Sequence, residues 1–128
     1  MYTMKEVGDR TGLPYETLKF YCNQGLVPNV KRDSQNHRVF DDRDVAWINS
    51  LTCLKNCSMG IREMRQYVIL CLEGESSIPE RKAILESKRQ ALEEERRRIY
   101  QAIAYIDRKQ AFYDAVLSGE TEYTSNLK

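Results

Sequence analysis

The chain has 128 residues, 41% of them hydrophobic and 30% charged, with a formal net charge of +1. This length suits one ordinary domain, or a small domain with an extension, and the composition is that of a folded, largely helical protein. The chain has no apolar run near the roughly 18 residues of a membrane span and no secretory signal at its N-terminus. We therefore expect a cytoplasmic protein without a membrane partner.

Local signals predict two short helices at the start of the chain. The first begins with a T-x-x-E capping box at Thr3 and ends at Gly12. Pro14 is tolerated in the first turn of a second helix, which Gly25 ends. The i, i+3, i+4 spacing of apolar positions in that helix predicts a buried face made of Leu18, Tyr21 and Cys22.

Two further helices are predicted after a polar loop. The third begins at Asp41 or Asp42, and the fourth covers about Ile61 to Leu72 before Gly74 stops it. Apolar residues at helical spacing mark the inner face of the third helix: Val45, Ile48, Leu51 and Leu54.

The loop between the second and third helices, residues 30–40, has the character of a small β-hairpin. Asp33, Ser34 and Asn36 make a turn without glycine, and asparagine tolerates a left-handed φ well. Val39 and Phe40 favour a strand. An irregular polar loop is the alternative, but the position directly after two short helices favours a wing. Together these elements predict a winged helix-turn-helix.

After Gly74 the sequence predicts one long helix. From Ser77 to Leu117 there is no glycine, and Pro79 stands in the first turn. A Ser77-x-x-Glu80 box is expected to cap its start, and Gly119 to end it. About 40 residues at 1.5 Å each give a rod of about 60 Å. Apolar residues recur along it every seven positions: Ile78, Leu85, Leu92, Ile99, Ile106 and Tyr113.

A lone helix of this length cannot bury such a stripe, so it must pack on another helix. The chain has no second long helix, so the simplest partner is the same helix of a second copy, which predicts a homodimer. The charged run at residues 93–98 is interpreted as a solvated face or as cross-helix pairs, with no ligand role. We expect a DNA-binding domain at residues 1–74, a dimerisation helix at 75–119 and a short polar tail at 120–128.

Four segments give the chain a resemblance to the MerR family of transcriptional regulators: TMKEVGDRTGL (3–13), PYETLKFY (14–21), QGLVP (24–28) and RVF (38–40). The resemblance implies a mainly α homodimer joined by an antiparallel coiled coil. Helix two would enter the major groove of double-stranded promoter DNA, with the wing on the backbone beside it. The dimer would bind a palindromic site and distort it so that RNA polymerase can use the promoter, which is indirect readout.

The same resemblance implies seven candidate DNA-binding residues: Thr3, Tyr15, Thr17, Lys19, Tyr21, His37 and Arg38. Arg38 matches a wing arginine that pairs with phosphate. Lys19 stands where many relatives have arginine, and lysine lacks the bidentate fork, so a phosphate contact is expected there. Tyr21 has an alternative role as a core residue. Asn36 and His37 depart from the glycine and aromatic residue common in relatives.

The resemblance also suggests a signal. Beyond Leu117 there is neither cysteine nor histidine, so a thiolate metal cage cannot form there, and we expect no metal and no cofactor. The segment WINSLTCLKNCSMGI resembles the small, thiol-based branch that responds to aldehydes and other electrophiles. Cys53 is the implied sensing thiol, with Cys57 as a possible resolving partner. The alternative places Cys53 in the core; Cys22 is interpreted as a small buried hydrophobe.

Other functions remain as alternatives. One alternative is a DNA-binding regulator without a thiol switch, either constitutive or controlled by a small ligand. The other is a coiled-coil protein-interaction adaptor. An enzyme is not expected, because the single histidine, His37, has no acid-base partner in the sequence and no glycine-rich phosphate loop is present.

Overall fold

A computed structural model describes residues 1–128 and has a mainly helical architecture with a small sheet. The helices are α1 (Met4–Thr11), α2 (Tyr15–Asn23), α3 (Asp42–Asn56), α4 (Ile61–Glu73) and α5 (Ile78–Leu117), and the strands are β1 (Tyr2–Thr3), β2 (Lys31–Arg32) and β3 (Arg38–Phe40). A 3-10 turn, Glu75–Ser77, precedes α5. The predicted winged helix-turn-helix followed by a long helix is confirmed.

Contacts divide the chain into two compact units, Met1–Lys88 and Arg89–Lys128. The boundaries proposed from the sequence at residues 74 and 119 describe functional segments and stay predictions. None of the helices combines the length and apolar character that crossing a membrane demands.

Reciprocal capping boxes begin α1 and α3. The Glu6 amide donates to Thr3 Oγ1 at 3.2 Å, and the Thr3 amide donates to Glu6 Oε1 at 3.1 Å, as predicted. In α3 the Asp44 amide donates to Asp41 Oδ1, and the Asp41 amide donates to Asp44 Oδ2, both at 2.9 Å. Each box pairs two backbone N–H groups that a helix start otherwise leaves open. Pro14 was expected in the first turn of α2, but it is the N-cap, and the helix begins at Tyr15.

The wing is an antiparallel hairpin of β2 and β3, as predicted. Asn36 adopts a left-handed φ of 64° in its turn. Asp33 Oδ1 holds the turn by accepting from the amides of Gln35 (3.0 Å) and His37 (2.8 Å). A third strand was not predicted: β1 pairs with β3, with Tyr2 opposite Phe40, so the sheet order is β1-β3-β2.

Phe40 attaches this sheet to the main core. Its side chain is fully buried at the end of β3. The indole Nε1 of Trp47 donates to the carbonyl of Leu26 at 2.7 Å, which ties α3 to the segment after α2. The other buried hydrophobic members of this cluster are Val7, Leu18, Tyr21, Leu26, Val27, Ile48, Leu51, Leu54, Met59, Met64 and Val68.

The capping box expected at Ser77 and Glu80 is wrong. The Ser77 side chain is buried, and its hydroxyl is directed at the carbonyls of Leu70 and Gly74 at the end of α4. Arg81 Nε donates to Ser77 Oγ at 3.1 Å, and Arg81 Nη2 donates to the Gly74 carbonyl at 2.7 Å. The hydroxyl therefore closes the C-terminal end of α4, where free carbonyls need donors, and the 3-10 turn leads into α5.

Lys31 joins the wing to the start of α3. Its Nζ lies 3.0 Å from Asp41 Oδ2 and 3.2 Å from Asp44 Oδ2, and it also donates to the Asn29 carbonyl at 2.9 Å. Asp44 is buried, so the ammonium supplies the countercharge that a buried carboxylate requires. The Asp44 amide and then the Lys31 ammonium lower the pKa of Asp41 to about 2.

This lowered pKa predicts an acid-sensitive contribution to folding. A carboxyl with a folded pKa of about 2 and an ordinary value of 3.8 stabilises the fold above pH 3.8 and loses that contribution as pH falls toward 2. Asp41→Asn keeps a capping oxygen but has no charge to titrate. In urea unfolding at pH 5 and pH 2, we expect the wild type to lose more stability than Asp41→Asn. The exposed control Asp107→Asn should follow the wild type; equal losses in Asp41→Asn and wild type would contradict the prediction.

Candidate nucleic-acid interface

Four of the predicted site residues surround one open cleft. It lies between the start of α1, the start of α2 and the wing, and its volume is about 420 Å³. Thr3, Tyr15, His37 and Arg38 line it. The capping box at Thr3 places the first, the short loop through Pro14 places the second, and the hairpin places the other two. Residues far apart in sequence therefore meet on one face.

Cations dominate the lining of this cleft. Lys5, Arg32 and Arg38 contribute three positive side chains against the single acid Asp33. Asp33 is engaged within the wing turn, where Oδ1 accepts two backbone amides. A local excess of lysine and arginine is what phosphate contacts require, although the whole chain is nearly neutral. Lys5 and Arg32 were not among the residues predicted from the sequence, although each is a basic residue beside a predictable feature, the start of α1 or the wing turn.

The wing arginine is held in place from α2. Arg38 Nη2 donates to Asn23 Oδ1 at 2.6 Å, a bond between the last residue of α2 and the first of β3. Arg32 lies opposite Arg38 in the hairpin, and its Nη1 donates to the Asn36 carbonyl at 2.9 Å. Both guanidinium groups are thus positioned by neutral oxygen acceptors and keep their charge uncompensated by a carboxylate. Asn23 had no signal in the sequence, because its partner is 15 residues away.

The remaining α2 residues separate into different surroundings. Lys19 is exposed, and Thr17 is half-buried in a second groove that lies between α2 and the loop from α3 to α4. Tyr21 is only 3% exposed and belongs to the core cluster, and burial raises the pKa of its phenol. The structure thus favours the core role for Tyr21 over a DNA contact, because its side chain fills the space beneath α2.

The thiols differ in their access to solvent. Cys53 is exposed on α3, so the alternative that it is a core residue is wrong. Cys57 is half-buried at the C-cap of the same helix, where its amide donates to the carbonyls of Cys53 and Leu54, each at 3.1 Å. Cys22 is half-buried against the core, and burial raises the pKa of its thiol, while Arg38 and Arg32 act in the opposite direction.

The model of the MerR HTH regulatory protein family matches residues 2–68. Over 112 residues the chain is 30% identical to an uncharacterized HTH-type transcriptional regulator of Haemophilus influenzae, covering 88% of this chain and 83% of that protein. Over 87 residues it is 36% identical to the HTH-type transcriptional regulator AdhR of Bacillus subtilis, covering 68% of this chain and 62% of that protein.

Two solved structures are similar over nearly the whole chain. One is HiNmlR, a MerR family regulator lacking the sensor domain, bound to promoter DNA; it has 29% identity and a TM-score of 0.77, and covers 91% of this chain and 93% of that one. The other is a MerR family transcriptional regulator from Listeria monocytogenes, with 25% identity and a TM-score of 0.83, covering 94% of this chain and 91% of that one.

Proposed function

The chain belongs to the MerR family of helix-turn-helix regulatory proteins, and on this basis we propose that it binds double-stranded promoter DNA as a homodimer and controls transcription. The observation that carries the proposal is the cationic cleft, where Lys5, Arg32 and Arg38 meet the start of α2. The similarity to HiNmlR, which is bound to promoter DNA, supports it.

The proposed contacts divide into two groups. Tyr15, Thr17 and Lys19 on α2 face bases and phosphates in the major groove. Thr3, His37 and Arg38 contact the backbone beside it, joined by the cations Lys5 and Arg32. Phosphate contacts fix the register of the protein on DNA, while base edges and DNA deformability carry sequence preference.

The unpartnered apolar residues of α5 support a homodimer. Over Arg89–Lys128, side chains such as Ile99, Ile103 and Ile106 are about half exposed, and α5 has no buried residue. An isolated helix of this kind is marginal in water without a partner for its apolar face. We propose that a second copy covers it in an antiparallel coiled coil. The two DNA-binding heads then engage the halves of a palindromic site and distort it, which aids RNA polymerase indirectly.

Cys53 is the proposed sensing group, supported by its exposure on α3 and by the resemblance of its segment to the thiol-based branch. The thiolate adds to the carbonyl carbon of an aldehyde, and the resulting alkoxide takes a proton from water, so a hemithioacetal forms without a leaving group. The adduct adds bulk to α3, whose N-terminal end is joined to the wing through Lys31. We propose that this changes the orientation of the DNA-binding heads.

Footprinting on the chain's own promoter, with and without an aldehyde, tests this function. The wild-type protein should protect a palindromic site. Aldehyde should change the affinity of the protein for this site about tenfold, a typical coupling between two sites, or alter the pattern of DNA distortion in the footprint. Cys53→Ser should bind the same site without responding. Cys57→Ser is the matched control one helical turn away and should still respond.

The outcomes separate the parts of the proposal. A Cys53→Ser protein that responds fully indicates a regulator without this thiol switch, and DNA binding then stands alone. Absence of protection at any salt concentration favours the protein-interaction adaptor. A steep fall in affinity with rising salt is the expected sign of phosphate contacts, because bound counterions are released when the complex forms.

A further inference from the structure

The turn between α4 and α5 is bound by one arginine at the start of α5. The guanidinium of Arg81 reaches three groups: Nε donates to Ser77 Oγ at 3.1 Å, Nη2 donates to the Gly74 carbonyl at 2.7 Å, and Nη1 lies 3.8 Å from Cys71 Sγ. No carboxylate is among these partners, and Arg81 is half-buried. The whole hydrogen-bonding capacity that Arg81 uses within the chain is therefore directed at this junction, residues 71–81.

Gly74 is the flexible point of the junction. It adopts φ 88° and ψ −153°, a region essentially open to glycine alone, and glycine also visits other regions at little cost. The Gly74 carbonyl is held from two sides, by Arg81 Nη2 at 2.7 Å and by the Ser77 hydroxyl at 2.9 Å. Ser77 is only 2% exposed, so water competes little for that bond. These bonds select one conformation of a residue that could adopt several.

The following turns of α5 pack on the same compact unit, Met1–Lys88, which is called the head below. Ile84 packs against the buried core cluster, and Lys88 Nζ pairs with Glu63 Oε2 near the start of α4. The carboxylate of that pair is 45% exposed, and exposed ion pairs contribute little. The bonds of Arg81 are thus the stronger polar connection between α4 and the start of α5.

A small change of angle at this junction is enlarged at the DNA. A unit of this size is about 30 Å across, so a rotation of about 10° at one side moves the far side by about 5 Å. One base-pair step is about 3.4 Å. A dimer binds two half-sites whose spacing must match the geometry of its two heads. The angle at which α5 joins the head therefore decides which half-site spacing fits.

On the proposed function, a homodimer that binds a palindromic site, we infer that Arg81 is the positioning residue that sets the preferred half-site spacing. Its guanidinium holds Gly74 in one conformation and so holds the start of α5 at one angle to α4. Arg81 acts through Gly74 and Ser77 and makes no DNA contact in this role. The role requires the planar fork, because a lysine ammonium cannot hold the hydroxyl and the carbonyl in one fixed geometry.

Affinity as a function of half-site spacing tests this role. The probes are the footprinted promoter duplex and versions with one or two base pairs inserted or deleted between the half-sites. The wild-type protein should prefer one spacing over its neighbours by about tenfold, a typical coupling between two sites. Arg81→Ala and Arg81→Lys should each reduce this preference by about threefold or more. Lys82→Ala is the matched control, an exposed cation at the next position, and should keep the wild-type preference.

A purely structural loss gives a different result. Partial unfolding lowers the affinity for every duplex by the same factor and leaves the ratio between spacings unchanged. An unchanged ratio in Arg81→Ala would overturn the positioning role, even with a lower affinity overall. A wild-type ratio in Arg81→Lys would overturn the requirement for the fork. A wild-type protein that binds none of the duplexes would instead overturn the proposed function, and this inference with it.

Hydrogen exchange of the free protein tests the junction without DNA. The Ser77 amide donates to the Gly74 carbonyl at 3.1 Å, and the Gly74 amide donates to the Cys71 carbonyl at 3.1 Å. In Arg81→Ala and Arg81→Lys both amides should exchange about two- to tenfold faster, the effect of losing one hydrogen bond. Lys82→Ala should exchange like the wild type. Unchanged exchange at Gly74 and Ser77 in Arg81→Ala would show that Arg81 does not hold the junction.

Discussion

Replacing Arg38 with alanine is expected to weaken binding to promoter DNA by about 10- to 100-fold at a fixed salt concentration, since a hydrogen bond to a charged group contributes about 1.5–3 kcal/mol. Arg38 lines the cationic cleft and is held by Asn23, so its guanidinium is already placed before DNA arrives. Loss of one phosphate contact should also reduce the slope of log affinity against log salt by about 1. Titration of labelled promoter DNA over a series of salt concentrations measures both quantities.

Asn23→Ala separates charge from positioning. It removes the acceptor that orders Arg38 but keeps the guanidinium, so we expect a smaller loss of affinity, of about 0.5–1.5 kcal/mol, with an unchanged salt slope. Because the two residues act together, the double variant should bind no worse than Arg38→Ala. Arg108→Ala, an arginine on α5, is the matched control. Unchanged affinity and slope in Arg38→Ala would remove the wing arginine from the proposed contact surface.

Local chemistry made the helix starts predictable. The box at Thr3 and the start of α3 beside Asp41 are decided within four residues, where side chains pair with nearby backbone amides. The left-handed Asn36 was predictable for the same reason. The capping box predicted at Ser77 is wrong because the Ser77 hydroxyl is directed at backbone carbonyls at the end of α4. A local pattern identifies a possible cap and does not exclude a better partner from the preceding helix.

Features that depend on chain-distant partners were not predictable. Strand β1 has two residues, too few for an alternating pattern, and it exists because Tyr2 meets Phe40. The contact of Asn23 with Arg38 arises from the approach of α2 to the wing. Lys5 and Arg32 were not predicted as site residues for the same reason, because the cleft that they line is formed by elements that only the folded chain brings together.

Helical geometry explains the two residues for which the sequence left alternatives. Tyr21 follows Leu18 by three positions, which places both on one face, and the structure buries both. Cys53 lies between Leu51 and Leu54 in sequence, but these two leucines share a helix face and Cys53 points away from it. Cys53 is accordingly exposed while Leu51 and Leu54 are buried. Position on the helix, more than neighbourhood in the sequence, decides access to solvent.

Replacing Phe40 with alanine is expected to reduce the free energy of unfolding by about 3–5 kcal/mol, the usual cost of removing a large buried aromatic ring. Phe40 is fully buried and ends β3, so its loss leaves a cavity where the sheet joins the helices. Against a typical stability of about 5–15 kcal/mol, this is a large fraction. Urea unfolding followed by circular dichroism measures it, at one protein concentration because dimerisation adds to apparent stability.

Two variants limit the interpretation of that result. Phe20→Ala removes the same ring from α2, where it is 44% exposed, and should cost much less; equal losses would mean that burial of Phe40 does not anchor the sheet. Phe40→Leu keeps an apolar side chain and should fall between them. Because β3 carries both Phe40 and Arg38, both alanine variants should lower DNA affinity. Phe40→Ala should do so by unfolding part of the protein, and Arg38→Ala by removing a phosphate contact. Phe40→Ala should regain affinity at temperatures where it is folded, whereas Arg38→Ala should keep its stability and never regain the lost phosphate contact.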